Sequence, residues 1–169
     1  MIEMNKARFV SVGGILTAIA VIFQAAPVFL PVIGLGLSPF STLPIAIAAF
    51  LKTSLGFAVY GSTALLLTFI YIQEAIILIF TTGLLGITIG TFLFRKGIVI
   101  SVLFSSIVLS LGMFLLTHFV GITLLGDFTN FGSILFTFFS FFLFSLIYTS
   151  IWNLFVRKLI QLSTQTDLK

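Results

Sequence analysis

The sequence has no cysteine. Disulfides, thiolate metal sites and cysteine nucleophiles are excluded with it. Histidine occurs once, at His118, and four acidic residues stand against eight Lys and Arg. One histidine, Glu74 at a helix end and Asp127 in a loop do not make a metal cluster, so neither a metal nor another cofactor is expected. There is no H-E-x-x-H, no G-x-S-x-G elbow and no glycine-rich loop leading into Gly-Lys-Ser/Thr. An enzyme is therefore not expected, and the chain cannot use ATP through a P-loop. Charge of either sign is scarce, at 7% of residues. Tryptophan occurs once and tyrosine three times, whereas phenylalanine occurs 22 times.

What fills the sequence is apolar. Hydrophobic residues make up 60% of the 169, and the mean hydropathy is +1.33. Soluble domains are about 45–50% apolar, so there is too little polar surface here to cover a water-soluble globule. The composition predicts an all-α integral membrane protein, a single domain with membrane lipid as its main surroundings. The basic residues fall at Lys6/Arg8, Lys52, Arg95/Lys96, Arg157/Lys158 and Lys169. Each interval between clusters is long enough to cross a bilayer and return. Six transmembrane helices with both termini in the cytoplasm would place every cluster on one face, which is the positive-inside pattern. A bacterial plasma membrane is the expected location. Basic residues at helix ends anchor to headgroups, so the net charge of +4 does not suggest nucleic acid. Lys6 and Arg8 before an apolar run resemble a signal peptide, but the segment reads as the first membrane helix.

A spanning helix needs about 20 apolar residues. The spans are predicted at about 9–26, 41–51, 55–71, 75–94, 98–119 and 133–156, with a frayed cytoplasmic tail over 157–169. Pro27 and Pro31 end or kink the first helix. The segment 32–40 (VIGLGLSPF) reads as a breaker-rich loop at the outer interface, partly at membrane depth and packed on protein. Ser41 or Thr42 is the expected N-cap of the short second helix, with Pro44 in its first turn. The stretch FTFFSFFLFS carries phenylalanine on every side of the sixth helix, as a lipid-facing wall does. Tyr148 and Trp152 suit an interfacial belt at its inner end.

Small residues mark the faces where helices approach in lipid. Gly83, Gly86 and Gly90 share one face of the fourth helix. Ser101, Ser105 and Gly112 share another on the fifth, and Gly14, Ala18 and Ala25 a third on the first. Most of these stripes are expected to pack inside the bundle, leaving one for a partner. Strongly polar groups at membrane depth are costly and so are functional candidates. The outer half is predicted to hold most of the non-basic ones: Gln24, Tyr71, Gln73, Glu74, Thr117, His118, Asp127 and Asn130. A polar set at one end of an apolar bundle is what a small-molecule pocket needs. The plainer roles are dipole complement for Glu74, snorkelling for His118, a turn for Asp127 and an interhelical bond for Gln24. No filter-like loop or charged ring points to a channel, and no inverted repeat points to a secondary transporter.

In its layout of six short helices with both ends inside, the chain resembles over most of its length, and most specifically across helices 1–3, the substrate-binding S components of energy-coupling factor (ECF) transporters. The segments that carry the resemblance are GGILTAIAVIFQ, the breaker-rich PVIGLGLSPF, the proline-marked STLPIAIAAF, and LKTSLGFAVYG with Lys52, Gly56 and Gly61. The glycine-rich GLLGITIGTFLFRKG fits the same broad group, which includes related bacterial membrane families. The resemblance implies high-affinity capture of a vitamin or similar micronutrient outside, docking on a membrane scaffold (the T component) driven by two ATPases, and toppling to release cargo. It implies docking through an Ala-x-x-x-Ala motif on helix 1, where this chain has Gly14-x-x-x-Ala18 with Gly in the first position. It also implies a ligand in the outer half beneath the first outer loop. The competing readings are a non-transporting membrane scaffold or assembly factor of similar fold and a solitary small-molecule transporter.

Overall fold

The structure is a computed structural model that describes residues 5–121 and 134–166. These residues form helices and turns, with no strand among them. The order is α1 (Lys6–Phe29), α2 (Pro31–Leu37), a 3-10 turn (Ser38–Ser41), α3 (Thr42–Leu51), α4 (Thr53–Ile70), α5 (Ile72–Phe80), α6 (Thr82–Lys96), α7 (Ile98–Leu115), a π turn (Leu116–Val120) and α8 (Ile134–Thr166). Taken with their continuations, these make six helical stretches long and apolar enough to cross a membrane: Lys6–Phe29, Pro31–Leu51, Thr53–Ile70, Ile72–Lys96, Ile98–Val120 and Phe136–Leu162. The protein is thus a multi-pass membrane protein. Large side chains such as Ile15, Ile22, Phe29 and Phe69 face outward, where lipid replaces water as the solvent.

Two spans are broken where the sequence predicts otherwise. The second is longer than residues 41–51, because the expected loop 32–40 is itself helical and belongs to it. Pro31 opens α2, a favourable first position for proline. α2 lies tight on the end of α1: a Cβ at Gly34 would sit 2.4 Å from the backbone of Ala26 and Pro27. Only glycine allows that approach. Nor does Pro27 end α1, which continues to Phe29. The fourth span breaks at Thr81, with φ −123° and ψ −89°. A break in lipid frees carbonyls that must find other neighbours. Here the Tyr60 hydroxyl donates to the Ile79 carbonyl at 3.0 Å. The Phe80 carbonyl points into the space that a Cβ on Gly112 would occupy. Thr81 Oγ1 donates to the Ile77 carbonyl at 2.6 Å.

The fourth span is the central one, with 61% of its apolar window buried. Gly86 faces Ile45 and the Thr42 carbonyl, and Gly90 faces the Ala46 carbonyl, so α3 seats directly on this stripe. The α7 stripe is internal too: Ser101 donates to Asn153 Oδ1, and Ser105 donates to Thr88 Oγ1 at 3.1 Å. On α8, Phe136 and Phe139 face outward while Phe141 is fully buried.

The basic clusters gather at one end of the bundle. Lys52 Nζ lies 5.9 Å from the centre of the Phe9 ring near the start of α1. Phe50 and Phe94 meet at 4.7 Å, next to Lys52 and Arg95. Asn153, one turn before Arg157, bonds Ser101 near the start of α7. The last helix does not stop at 156: α8 carries through Arg157 and Lys158 to Thr166, taking in most of the expected tail. At 33 residues it is about 50 Å long, more than the ~30 Å hydrocarbon layer requires.

Candidate functional site

At the end away from the basic clusters, three spans meet at one amide. Gln24 sits near the end of α1 and is fully buried. Its Nε2 donates to Glu74 Oε2 at 2.9 Å. Its Oε1 accepts from Ser41 Oγ at 2.7 Å and from Thr82 Oγ1 at 2.9 Å. Each partner sits where one helical segment gives way to the next. Ser41 closes the 3-10 turn between α2 and α3, Glu74 lies in the first turn of α5, and Thr82 begins α6 one residue past the Thr81 break. Ser41 does not cap α3 with its side chain; the hydroxyl turns to Gln24 instead. A buried amide without partners is costly in an apolar surround, and here both its oxygen and its nitrogen are bonded. The arrangement also orients the carboxylate of Glu74, which is only 8% exposed.

This network forms part of the wall of a cavity of ≈ 370 Å³. Glu74, Thr81 and Thr82 supply its polar side. Leu85 from α6, Leu109 and Met113 from α7, and Phe144 and Tyr148 from α8 supply the apolar side, while Pro27, Ser38 and Pro39 line the edge toward α1 and α2. Most of the lining is apolar, with a few convergent polar groups, the usual make-up of a small-molecule site. A second hollow of ≈ 350 Å³ is lined by Pro27, Val28, Tyr71, Gln73 and Glu74. Tyr71 and Gln73 are exposed, and the Tyr71 hydroxyl donates to Gln73 Oε1 at 3.2 Å.

Of the eight residues singled out in the sequence, Gln24, Tyr71, Gln73 and Glu74 gather around these hollows. Thr117 and His118 lie in the π turn and line neither of them; His118 is exposed, its ring stacked on Phe114 at 4.4 Å. Asp127 and Asn130 lie outside the described residues. Four residues that sequence reasoning assigned elsewhere or left out are part of the site: Ser41, Thr82, Tyr148 and Met113. The available signal was positional, since Ser41 follows a proline-marked breaker segment and Thr81-Thr82 interrupts an apolar run. Tyr148 and Trp152 are not an interfacial belt. Trp152 is buried, with its ring edge-on to Phe40 at 5.6 Å and 6.2 Å from that of Tyr148.

Gly14 and Ala18 are exposed on α1. With Gly13, Thr17, Ala58 and Ser62 they line an open groove of ≈ 390 Å³ between α1 and α4. A Cβ on Gly14 would meet nothing within 4 Å.

No protein-family model, no curated protein and no solved structure matches this chain.

Proposed function

We propose that this protein is a membrane-embedded capture subunit for a small molecule, working as ECF S components do. The observation that carries the reading is the Gln24–Glu74–Ser41–Thr82 network set into the wall of a cavity large enough for a vitamin-sized ligand. Positive-inside orientation would put both termini and the basic end in the cytoplasm of a bacterial cell and open the cavity side to the outside. Broken spans beside the cavity fit this role, because irregular backbone at membrane depth is tolerated where it lines a site. The exposed Gly14–Ala18 groove would receive the T component of an ATP-driven module with its two ATPases. Substrate enters as the only small-molecule partner, and no catalytic step is assigned to this chain.

Native mass spectrometry of the protein purified from cells grown in rich medium tests the reading. A stoichiometric small molecule is expected, and Glu74→Gln should weaken its retention by about 1–3 kcal/mol, the range for a hydrogen bond to a charged group. A protein that is repeatedly empty under mild extraction, and that copurifies with envelope-assembly proteins, would favour the scaffold instead. Uptake in cells that lack the coupling ATPases would favour a solitary transporter. For docking, Gly14→Trp fills the groove and should abolish copurification with the coupling module while ligand retention stays intact. An undisturbed complex would move the docking face elsewhere.

A further inference from the structure

Glu74 is the one acidic side chain among the described residues, and every described lysine and arginine lies at the other end of the bundle. Its carboxylate is held by a neutral donor, the Gln24 amide, with no ion pair among the described residues. An ionisable group at this depth without a countercharge is costly unless a partner relieves it. Glu74 and Pro27 line both hollows, so the carboxylate stands in the wall between the vestibule beside Tyr71 and Gln73 and the larger apolar cavity. On the cavity side, Phe144 and Tyr148 stack their rings at 5.8 Å.

We propose that Glu74 is the recognition subsite for an organic cation, a protonated amine carried on an apolar body, which passes from the vestibule into the cavity. The inference rests on the cavity being a ligand site. The cationic group would supply the countercharge that the Gln24 amide, bonded only to Oε2, cannot. The body would lie against Leu109, Met113 and the two aromatic rings, which also favour a nearby cation. An anionic ligand would meet the carboxylate with no lysine or arginine in the lining to offset it. A bare metal ion is a poor match: calcium and magnesium take six or more oxygen ligands, and zinc takes about four from His, Cys, Asp or Glu and water. Gln24 Oε1 is already occupied by two hydroxyls, and no cluster of three or more His, Cys, Asp or Glu exists among the described residues.

The sole tryptophan, Trp152, lies beside Tyr148 and gives the readout. The full-length protein in nanodiscs is titrated with phenylbutylamine, phenylbutanol and phenylbutyrate while Trp152 emission is followed. These probes share one body and differ only in the head group. The amine is expected to bind about tenfold tighter than the alcohol, with the carboxylate weakest. Glu74→Gln should bring the amine level with the alcohol, and Glu74→Asp should keep most of the preference. Leu109→Phe, which fills the cavity, should weaken all three in parallel and so separates site binding from partition into lipid. Equal affinities of amine and alcohol in the native protein, or a preference that survives Glu74→Gln, would overturn the cation subsite and leave the capture reading standing. Failure of all three probes to bind would overturn both. If Glu74→Gln does not fold, the head-group order in the native protein still decides.

Discussion

One amide, Gln24, carries much of what is distinctive in this molecule. It holds Glu74, Ser41 and Thr82 at once, although these lie 50, 17 and 58 residues away in the chain. Gln24→Leu keeps the apolar character of α1 but strips all three of their partner. Each buried group left unsatisfied costs about 1–3 kcal/mol, while interhelical hydrogen bonds in membranes average about 0.6 kcal/mol. The expected loss is therefore about 1–3 kcal/mol, visible as a lowered midpoint of thermal unfolding in detergent. His118→Ala is the contrast, because His118 is exposed in the middle of a π turn and outside both hollows. It should change stability by no more than about 0.5 kcal/mol. A larger loss from His118→Ala than from Gln24→Leu would mean that the Gln24 network contributes little to stability. At this scale the sequence was half legible. A glutamine and a glutamate at membrane depth announce themselves by their cost. Serine and threonine do not, since their hydroxyls can bond their own helix, as Thr63 does to the Val59 carbonyl. Nothing local marked Ser41 and Thr82 as reaching across to Gln24.

The helices divide into those that hydropathy describes well and two that it does not. α4 and α7 follow the predicted limits within a few residues, because uninterrupted apolar runs leave no other solution in lipid. The second span breaks at the 3-10 turn and the fourth at Thr81, and each break brings a polar side chain to the site. Proline and glycine in 32–40 signalled irregularity, but hydropathy cannot tell a surface loop from a broken helix packed on protein. Such packing depends on residues far away, as in the seating of α2 at Gly34 against Ala26 and Pro27. The glycine stripe of α6 was legible as a packing face, though its partner α3 was not. That seating gives an element-scale prediction. A Cβ on Gly90 would sit 2.2 Å from the Ala46 carbonyl oxygen, which is backbone and cannot swing aside. Gly90→Val should therefore separate α3 from α6 at a cost above about 3 kcal/mol, the upper range for overpacking. Gly36→Ala adds a methyl where nothing lies within 4 Å and should fold normally. Yield of monodisperse protein and unfolding midpoint compare the two. A well-folded Gly90→Val would mean that α3 is not seated on this stripe.

Over the whole molecule, positive charge and the Glu74 network sort to opposite ends. The described lysines and arginines cap one end, and the buried carboxylate, its amide and the cavity lie toward the other. That polarity was readable from the spacing of basic residues alone, because each apolar interval holds two spans. Which end faces the cytoplasm is a separate question, and the proposed orientation rests on the positive-inside bias. The absence of cysteine makes it testable without background. Single cysteines can be placed at Lys52, in the turn between α3 and α4, and at Gln73, which is exposed beside the vestibule. Lys52→Cys is expected to react with a membrane-impermeant maleimide only after cells are permeabilised. Gln73→Cys is expected to react in intact cells, and more slowly once phenylbutylamine fills the vestibule. The reverse pattern would turn the protein over. The hollow beside Gln73 would then open to the cytoplasm, and capture from outside would have no route to Glu74. Labelling of both positions in intact cells would instead mean that the single span between them, Thr53–Ile70, does not cross the bilayer.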